Sequence, residues 1–143
     1  MKVKEIMTAN PAYATVNTSL PDVARIMVEF DCGCVPVIEN DNNKKPIGVI
    51  TDRDITIRTV SHGKDPLNMV AGETMTDFII TVTPETDVKE CLDKMEKNQI
   101  RRMVVVDENG DLCGILAQAD IARQSSSDHT AELVKDVSMT AKA

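Results

Sequence analysis

The sequence predicts an α+β chain built from two copies of one plan: strand, helix, strand, hairpin partner, helix. The first observation behind this is an internal repeat. Gly48-Val49-Ile50-Thr51-Asp52-Arg53-Asp54 returns as Gly114-Ile115-Leu116-Ala117-Gln118-Ala119-Asp120, and Ile6-Met7-Thr8 as Thr74-Met75-Thr76. Thr15-Val16 recurs as Thr81-Val82, Met27 as Met95, and Val35-Pro36-Val37 as Met103-Val104-Val105. The offset drifts only slightly, so the copies differ in loop length alone. The second observation is that short β-branched runs alternate with stretches of helical period. Two copies of about 60 residues are too few for a solenoid, and each is too small for a generous core. They are expected to pack on each other.

Taken in order, residues 1–8 read as a lead-in, and a strand follows Asn10-Pro11 near 12–16. Ser19 caps a helix whose first turn takes Pro21 and Asp22. Val23, Ile26, Met27 and Phe30 then fall on one apolar face. Residues 34–38 form the next strand, 39–45 a polar turn rich in Asn and Asp, and 47–50 the hairpin's second arm. A helix from Asp52 is expected to end near Gly63, a residue suited to a C-cap. The link 64–72 carries Asp65-Pro66 and is short. The second copy repeats the plan, with a strand near 79–82, a helix from Asp87 that lines up Val88, Cys91, Leu92 and Met95, and strands at 103–106 and 112–116. Asn109-Gly110 is a strong hairpin signal between those strands. After Arg123, Gln124-Ser125-Ser126-Ser127-Asp128 reads as a linker to a short amphipathic helix over 131–137. The predicted division is residues 1–63, 64–124, and a tail over 125–143.

The repeated stretch is where chemistry is expected. Gly48-Val49-Ile50 reads as the end of a buried strand, with Thr51 at the N-cap position and Asp54 one turn in. A helix N-terminus attracts phosphate, and an acidic residue placed there can accept both hydroxyls of a ribose. Thr-x-x-Asp is equally a capping pattern, so both readings stand at this point. In the second copy Ala117 replaces the threonine while Asp120 is kept.

The order Met-Thr, strand, helix, Val-Pro-Val, Gly-Val-Ile-Thr-Asp-Arg-Asp and helix resembles a cystathionine β-synthase (CBS) domain. Two in tandem resemble a Bateman module of the small hypoxic-response type. The resemblance covers about residues 3–123, closely in the first copy and more loosely in the second. It implies that each copy is a small mixed β-sheet with two α-helices, packed as a pseudo-twofold pair. It further implies a regulatory protein that binds AMP, ADP, ATP, S-adenosylmethionine or NADH in clefts between the copies, and pairs as a homodimer. By that resemblance the first cleft takes Thr8, Tyr13, Ala14, Gly33, Cys34, Val35, Thr51 and Asp54. The second takes Thr76, Ile80, Arg101, Arg102 and Asp120. Arg101-Arg102 reads either as a solvated strand edge that blocks sheet pairing or as a phosphate contact. The threonine hydroxyl favours tighter phosphate binding in the first cleft, unless the two arginines make up the deficit.

Composition narrows the rest. The formal net charge is −7, which opposes binding to nucleic acid or to acidic membranes. Aromatics are 2% of the chain, Tyr13, Phe30 and Phe78, too few for base-stacking platforms. There is no long apolar run and no secretory leader, so a cytoplasmic protein is expected. Only His62 and His129 are present, and neither has a partnered nucleophile in sequence reach, so no enzyme and no catalytic residue is expected. Four cysteines, Cys32, Cys34, Cys91 and Cys113, read as reduced and structural, and no metal site is assigned. Cys32-Gly33-Cys34 keeps a redox- or metal-responsive variant open, beside a ligand-free interaction module.

Overall fold

The computed structural model describes residues 1–77 and 79–124. Its elements in chain order are β1 (Thr8–Ala9), β2 (Ala14–Thr15), α1 (Leu20–Glu29), β3 (Cys34–Asn40), β4 (Asn43–Thr51), α2 (Asp52–Arg58) and α3 (Ala71–Thr74). There follow β5 (Thr81–Val82), α4 (Val88–Asn98), β6 (Arg102–Val106), β7 (Leu112–Ala117) and α5 (Gln118–Gln124). The fold is α+β with two small mixed sheets, as the sequence predicts. The helix predicted over 131–137, with Leu133 and Val137, lies outside the described residues, as do Phe78 and His129.

The compact units are not the sequence copies. One unit is Pro11–Ile79; the other joins Met1–Asn10 to the chain from Ile80 onward. In the first, β2 runs parallel to β3 (Ala14 opposite Val37) and β3 antiparallel to β4 (Val35 opposite Ile50). Thr76, from the second copy's lead-in, bonds both ways with Val49 across 2.8 and 3.0 Å. In the other unit, β1, from the first copy's lead-in, pairs antiparallel with β7, and the sheet order is β1-β7-β6-β5. Each lead-in thus completes the sheet of the other copy. The reach of the chain explains the exchange. A strand beside β4 would stand three spacings, about 14 Å, from β2. The chain from Ala9 to Ala14 spans at most about 17 Å fully stretched, which leaves no slack to round the sheet's end.

Within Pro11–Ile79, α1 and α2 give Leu20, Val23, Ile26, Met27 and Ile55 to a core with Ala14, Val35, Val37, Ile50 and Ala71. Ser19 caps α1, its hydroxyl accepting from the Asp22 amide at 3.2 Å. Phe30 does not join the core: α1 ends at Glu29, and Phe30, its C-cap, is 57% exposed. The helix from Asp52 also stops early, at Arg58. Thr59, buried, turns its hydroxyl back to the Ile55 carbonyl at 2.5 Å and leaves helical geometry. A 3-10 turn, Val60–His62, follows, and Gly63 ends that turn at φ 70°.

In the other unit the core gathers Val3, Val82, Val88, Cys91, Leu92, Met95, Met103, Val105, Leu116 and Ile121. The N-terminus is strapped across the start of α4. Val3 donates to the Thr86 carbonyl at 2.9 Å, Val88 donates to the Met1 carbonyl at 2.9 Å, and Lys2 pairs with Asp87 at 3.0 Å. The hydrogen bond from Lys2 holds the Asp87 carboxyl below the ordinary aspartate range. The hairpin signal at Asn109-Gly110 joins β6 to β7, with Gly110 at φ 81°.

Candidate adenosine-ligand sites at the strand-to-helix turns

The turn from β4 into α2 is a reciprocal capping box. Thr51 Oγ1 accepts the Asp54 amide at 3.0 Å, and Asp54 Oδ2 accepts the Thr51 amide at 3.1 Å. The Thr51 hydroxyl proton remains available to an acceptor. Cys34 pairs with Thr51 across the sheet, and the Gly33 carbonyl receives the first amide of α2, from Asp52, at 3.1 Å. A side chain at residue 33 would crowd the Asp52 carboxylate at 3.2 Å. Gly33, Cys34, Thr51 and Asp54 therefore meet at one end of this sheet.

The remaining expected residues are placed differently. Ala14 and Val35 are buried in the hydrophobic core. The Tyr13 hydroxyl donates to Asp41 Oδ1 at 3.0 Å, which raises its pKa, and Lys44 sits over its ring at 5.9 Å. Asp41 lies in the β3–β4 turn, at the far end of β3 from Cys34. Thr8 and Thr76 exchange places relative to the sequence grouping. Thr8 is in β1, opposite Ile115, in the unit that holds Asp120. Thr76 stands beside Asp54, its hydroxyl 3.4 Å from both carboxylate oxygens. Sequence reasoning passed over Arg58, whose Nη2 is 3.9 Å from Asp54 Oδ1. Its spacing of four residues from Asp54, an ordinary helix pairing, was the available signal.

The second turn repeats half of this arrangement. Asp120 Oδ2 accepts the Ala117 amide at 2.8 Å, and Arg123 donates to Asp120 Oδ1 at 2.5 Å. Ala117 has no hydroxyl to return the bond. The Arg101 carbonyl takes the part of Gly33, receiving the Gln118 amide at 3.1 Å, and Arg102 Nη1 donates to that same carbonyl at 3.1 Å. Arg102 opens β6 and stands opposite Ala117 of β7, while β5 meets β6 only at Val104 and Val105. Ile80 packs against the core of its unit.

Among the described residues no group of three or more His, Cys, Asp or Glu is placed to hold a metal ion. Cys34 is buried and Cys32 packs against the core. Burial pushes the Cys91 thiol up to about 12 and raises that of Cys113. Also among the described residues, no helix is long and apolar enough to cross a membrane.

Both strand-to-helix turns fall within residues 3–59 and 70–127, the two stretches matched by the family model of the CBS domain. The chain belongs to the CBS domain family. It is 34% identical to Hypoxic response protein 1 of Mycobacterium tuberculosis, over 94% of this chain and 92% of that one. A Methanopyrus kandleri protein, MK0525, is 37% identical over 82% of this chain, which spans 57% of that relative's length. Among solved CBS structures, Hypoxic Response Protein I with two coordinated zinc ions superposes at TM-score 0.77, with 32% identity over 88% of this chain and 100% of that one. PAE2072 from Pyrobaculum aerophilum, complexed with AMP, superposes at 0.78, with 27% identity over 94% and 99%. The CBS pair of MJ0100, in complex with 5′-methylthioadenosine and S-adenosyl-L-methionine, superposes at 0.76, with 28% identity over 86% and 98%. Structurally similar CBS pairs thus bind adenosine compounds.

Proposed function

We propose that this CBS-domain protein is a cytoplasmic regulatory sensor of an adenosine-containing compound, with AMP, ADP and ATP ahead of S-adenosylmethionine and NADH, and that it is not an enzyme. One observation carries the reading. At both repeated turns an aspartate holds the strand-end amide with one carboxylate oxygen, while the other faces an arginine. A carboxylate anchored this way is oriented to accept ribose hydroxyls. The Thr51 hydroxyl, accepting from the helix, can donate to a phosphate oxygen; at the other turn Arg101 and Arg102 are the groups suited to phosphate. The AMP, methylthioadenosine and S-adenosylmethionine complexes of similar CBS pairs support the ligand class. The protein is read as a homodimer, with an effector protein as its regulated partner; exposed Val28 and Phe30 support the pairing.

Calorimetry with the adenosine panel on wild type, Asp54→Ala and Asp120→Ala tests this. The expected result is that Asp54→Ala abolishes the tighter phase and Asp120→Ala leaves it nearly intact. Greater damage from Asp120→Ala would hand phosphate recognition to the arginines. No binding by any member would leave the interaction reading in place of the sensor.

A further inference from the structure

The Asp54 side chain is only 11% exposed, so a ribose diol reaches its carboxylate only if something covering it moves. Two side chains stand against it. Thr76 Oγ1 lies 3.4 Å from both carboxylate oxygens, long for a hydroxyl-to-oxygen bond. Arg58 Nη2 is 3.9 Å from Oδ1, while its Nη1 donates to the carbonyls of Thr74 at 3.1 Å and Met75 at 2.7 Å. Arg58 therefore ties the carboxylate to the segment Thr74-Met75-Thr76, through which the chain approaches the end of this unit at Ile79.

We propose that Thr76 and Arg58 belong to the Asp54 site as a latch, and that the diol of an adenosyl ligand displaces the Thr76 hydroxyl from the carboxylate. The proposal rests on the adenosine reading above. A vicinal diol offers two short, charge-assisted bonds to an ionised carboxylate, against one long bond shared between two oxygens. The diol wins that exchange, and the cost of binding is the loosening of the segment at 74–76. Arg58 is a positioning residue: it holds Asp54 and the segment carbonyls together. Asp120 has no such latch among the described residues. Its arginine, Arg123, bonds to no carbonyl of the Met7-Thr8 lead-in, and no hydrogen bond joins Thr8 to Asp120. Among the described residues, occupancy is thus transmitted from the Asp54 turn only.

Thr76→Val keeps the branched shape and removes the hydroxyl. In an Asp120→Ala background, calorimetry with AMP is expected to show Thr76→Val binding about three- to tenfold more tightly, the worth of one long and therefore weak hydrogen bond. With 2′,3′-dideoxy-AMP, which has no diol, the gain is expected to vanish; a residue with a merely structural role would not make that distinction. Native-state hydrogen exchange gives an independent reading on the wild type. The Thr76 amide, bonded to the Val49 carbonyl at 2.8 Å, is expected to exchange faster with AMP bound, and faster without AMP in Arg58→Lys. Unchanged or weaker AMP binding by folded Thr76→Val, or slower Thr76 exchange with AMP, overturns the latch while leaving the sensor. If Thr76→Val does not fold, the wild-type exchange decides. A wild type that binds none of AMP, ADP, ATP, S-adenosylmethionine and NADH removes the sensor reading and the latch with it.

Discussion

The carbonyl oxygen of Thr76 stands 2.4 Å from where a Cβ on Gly48 would lie. That is closer than any side-chain carbon tolerates, and the opposing atom is backbone held by two bonds to Val49. The repeat's leading glycine therefore admits the lead-in backbone at Thr76. Gly48→Ala is expected to cost about 1–3 kcal/mol, as overpacking does. Gly114→Ala is expected to cost less, because a Cβ there first meets the Met7 thioether sulfur at 2.6 Å, the flexible part of a side chain. Urea denaturation of the two variants gives the comparison; equal losses would contradict it.

The two turns differ by one cap. Thr51→Ala removes the hydroxyl that accepts the Asp54 amide and is expected to lower stability by about 1 kcal/mol. Ala117→Thr is expected to raise it by a similar amount. Denaturation midpoints at unchanged slope would report both, and a destabilising Ala117→Thr would show that the second turn has no room for the cap.

Cys91 makes alkaline stability readable. Its thiol is held neutral up to about 12 in the folded chain, whereas an unfolded thiol ionises near 8.5. Between those values the folded state holds the extra proton. Stability is fully present below about 8.5 and falls as pH rises, by about 1.4 kcal/mol per pH unit from this group. Cys91→Ala should flatten that part of the pH profile whatever its effect on absolute stability. In the native protein at pH 8, Cys91 should resist alkylation until the chain is unfolded. Intact mass after alkylation under denaturing conditions, without reductant, should show additions at all four cysteines.

Val28, 82% exposed, and Phe30 next to the end of α1 are apolar side chains turned to solvent on the same unit. Light scattering at micromolar concentration is expected to give a dimer mass. Changing both Val28 and Phe30 to Asp should shift that mass towards the monomer, because a charge in a dry interface is costly to bury. A monomeric wild type would remove the homodimer reading.

Locally encoded features were legible. Ser19 capping α1, the Asn109-Gly110 hairpin and the helical apolar faces depend on neighbours a few residues apart. The capping pattern at Thr51-Asp54 was legible too, but as one of two readings, and both fit the same bonds. Phe30 misled because period alone does not say where a helix stops. Thr59 likewise ended α2 through a buried hydroxyl contact that no pattern announces. Arg58 was passed over because its partners, the carbonyls of Thr74 and Met75, are distant in sequence.

By itself the sequence determined that there are two copies, what each contains, and which aspartates sit at their strand-to-helix turns. Only the tertiary structure decided which lead-in joins which sheet. Met7-Thr8 and Met75-Thr76 are near copies of each other, so pattern is silent on the choice between two equivalent sheet edges. Chain reach is what separates them. Five residues leave no slack to carry the chain from beside β2 around to the far side of β4, so each lead-in pairs with the other copy. That is why Thr76, and not Thr8, stands over Asp54.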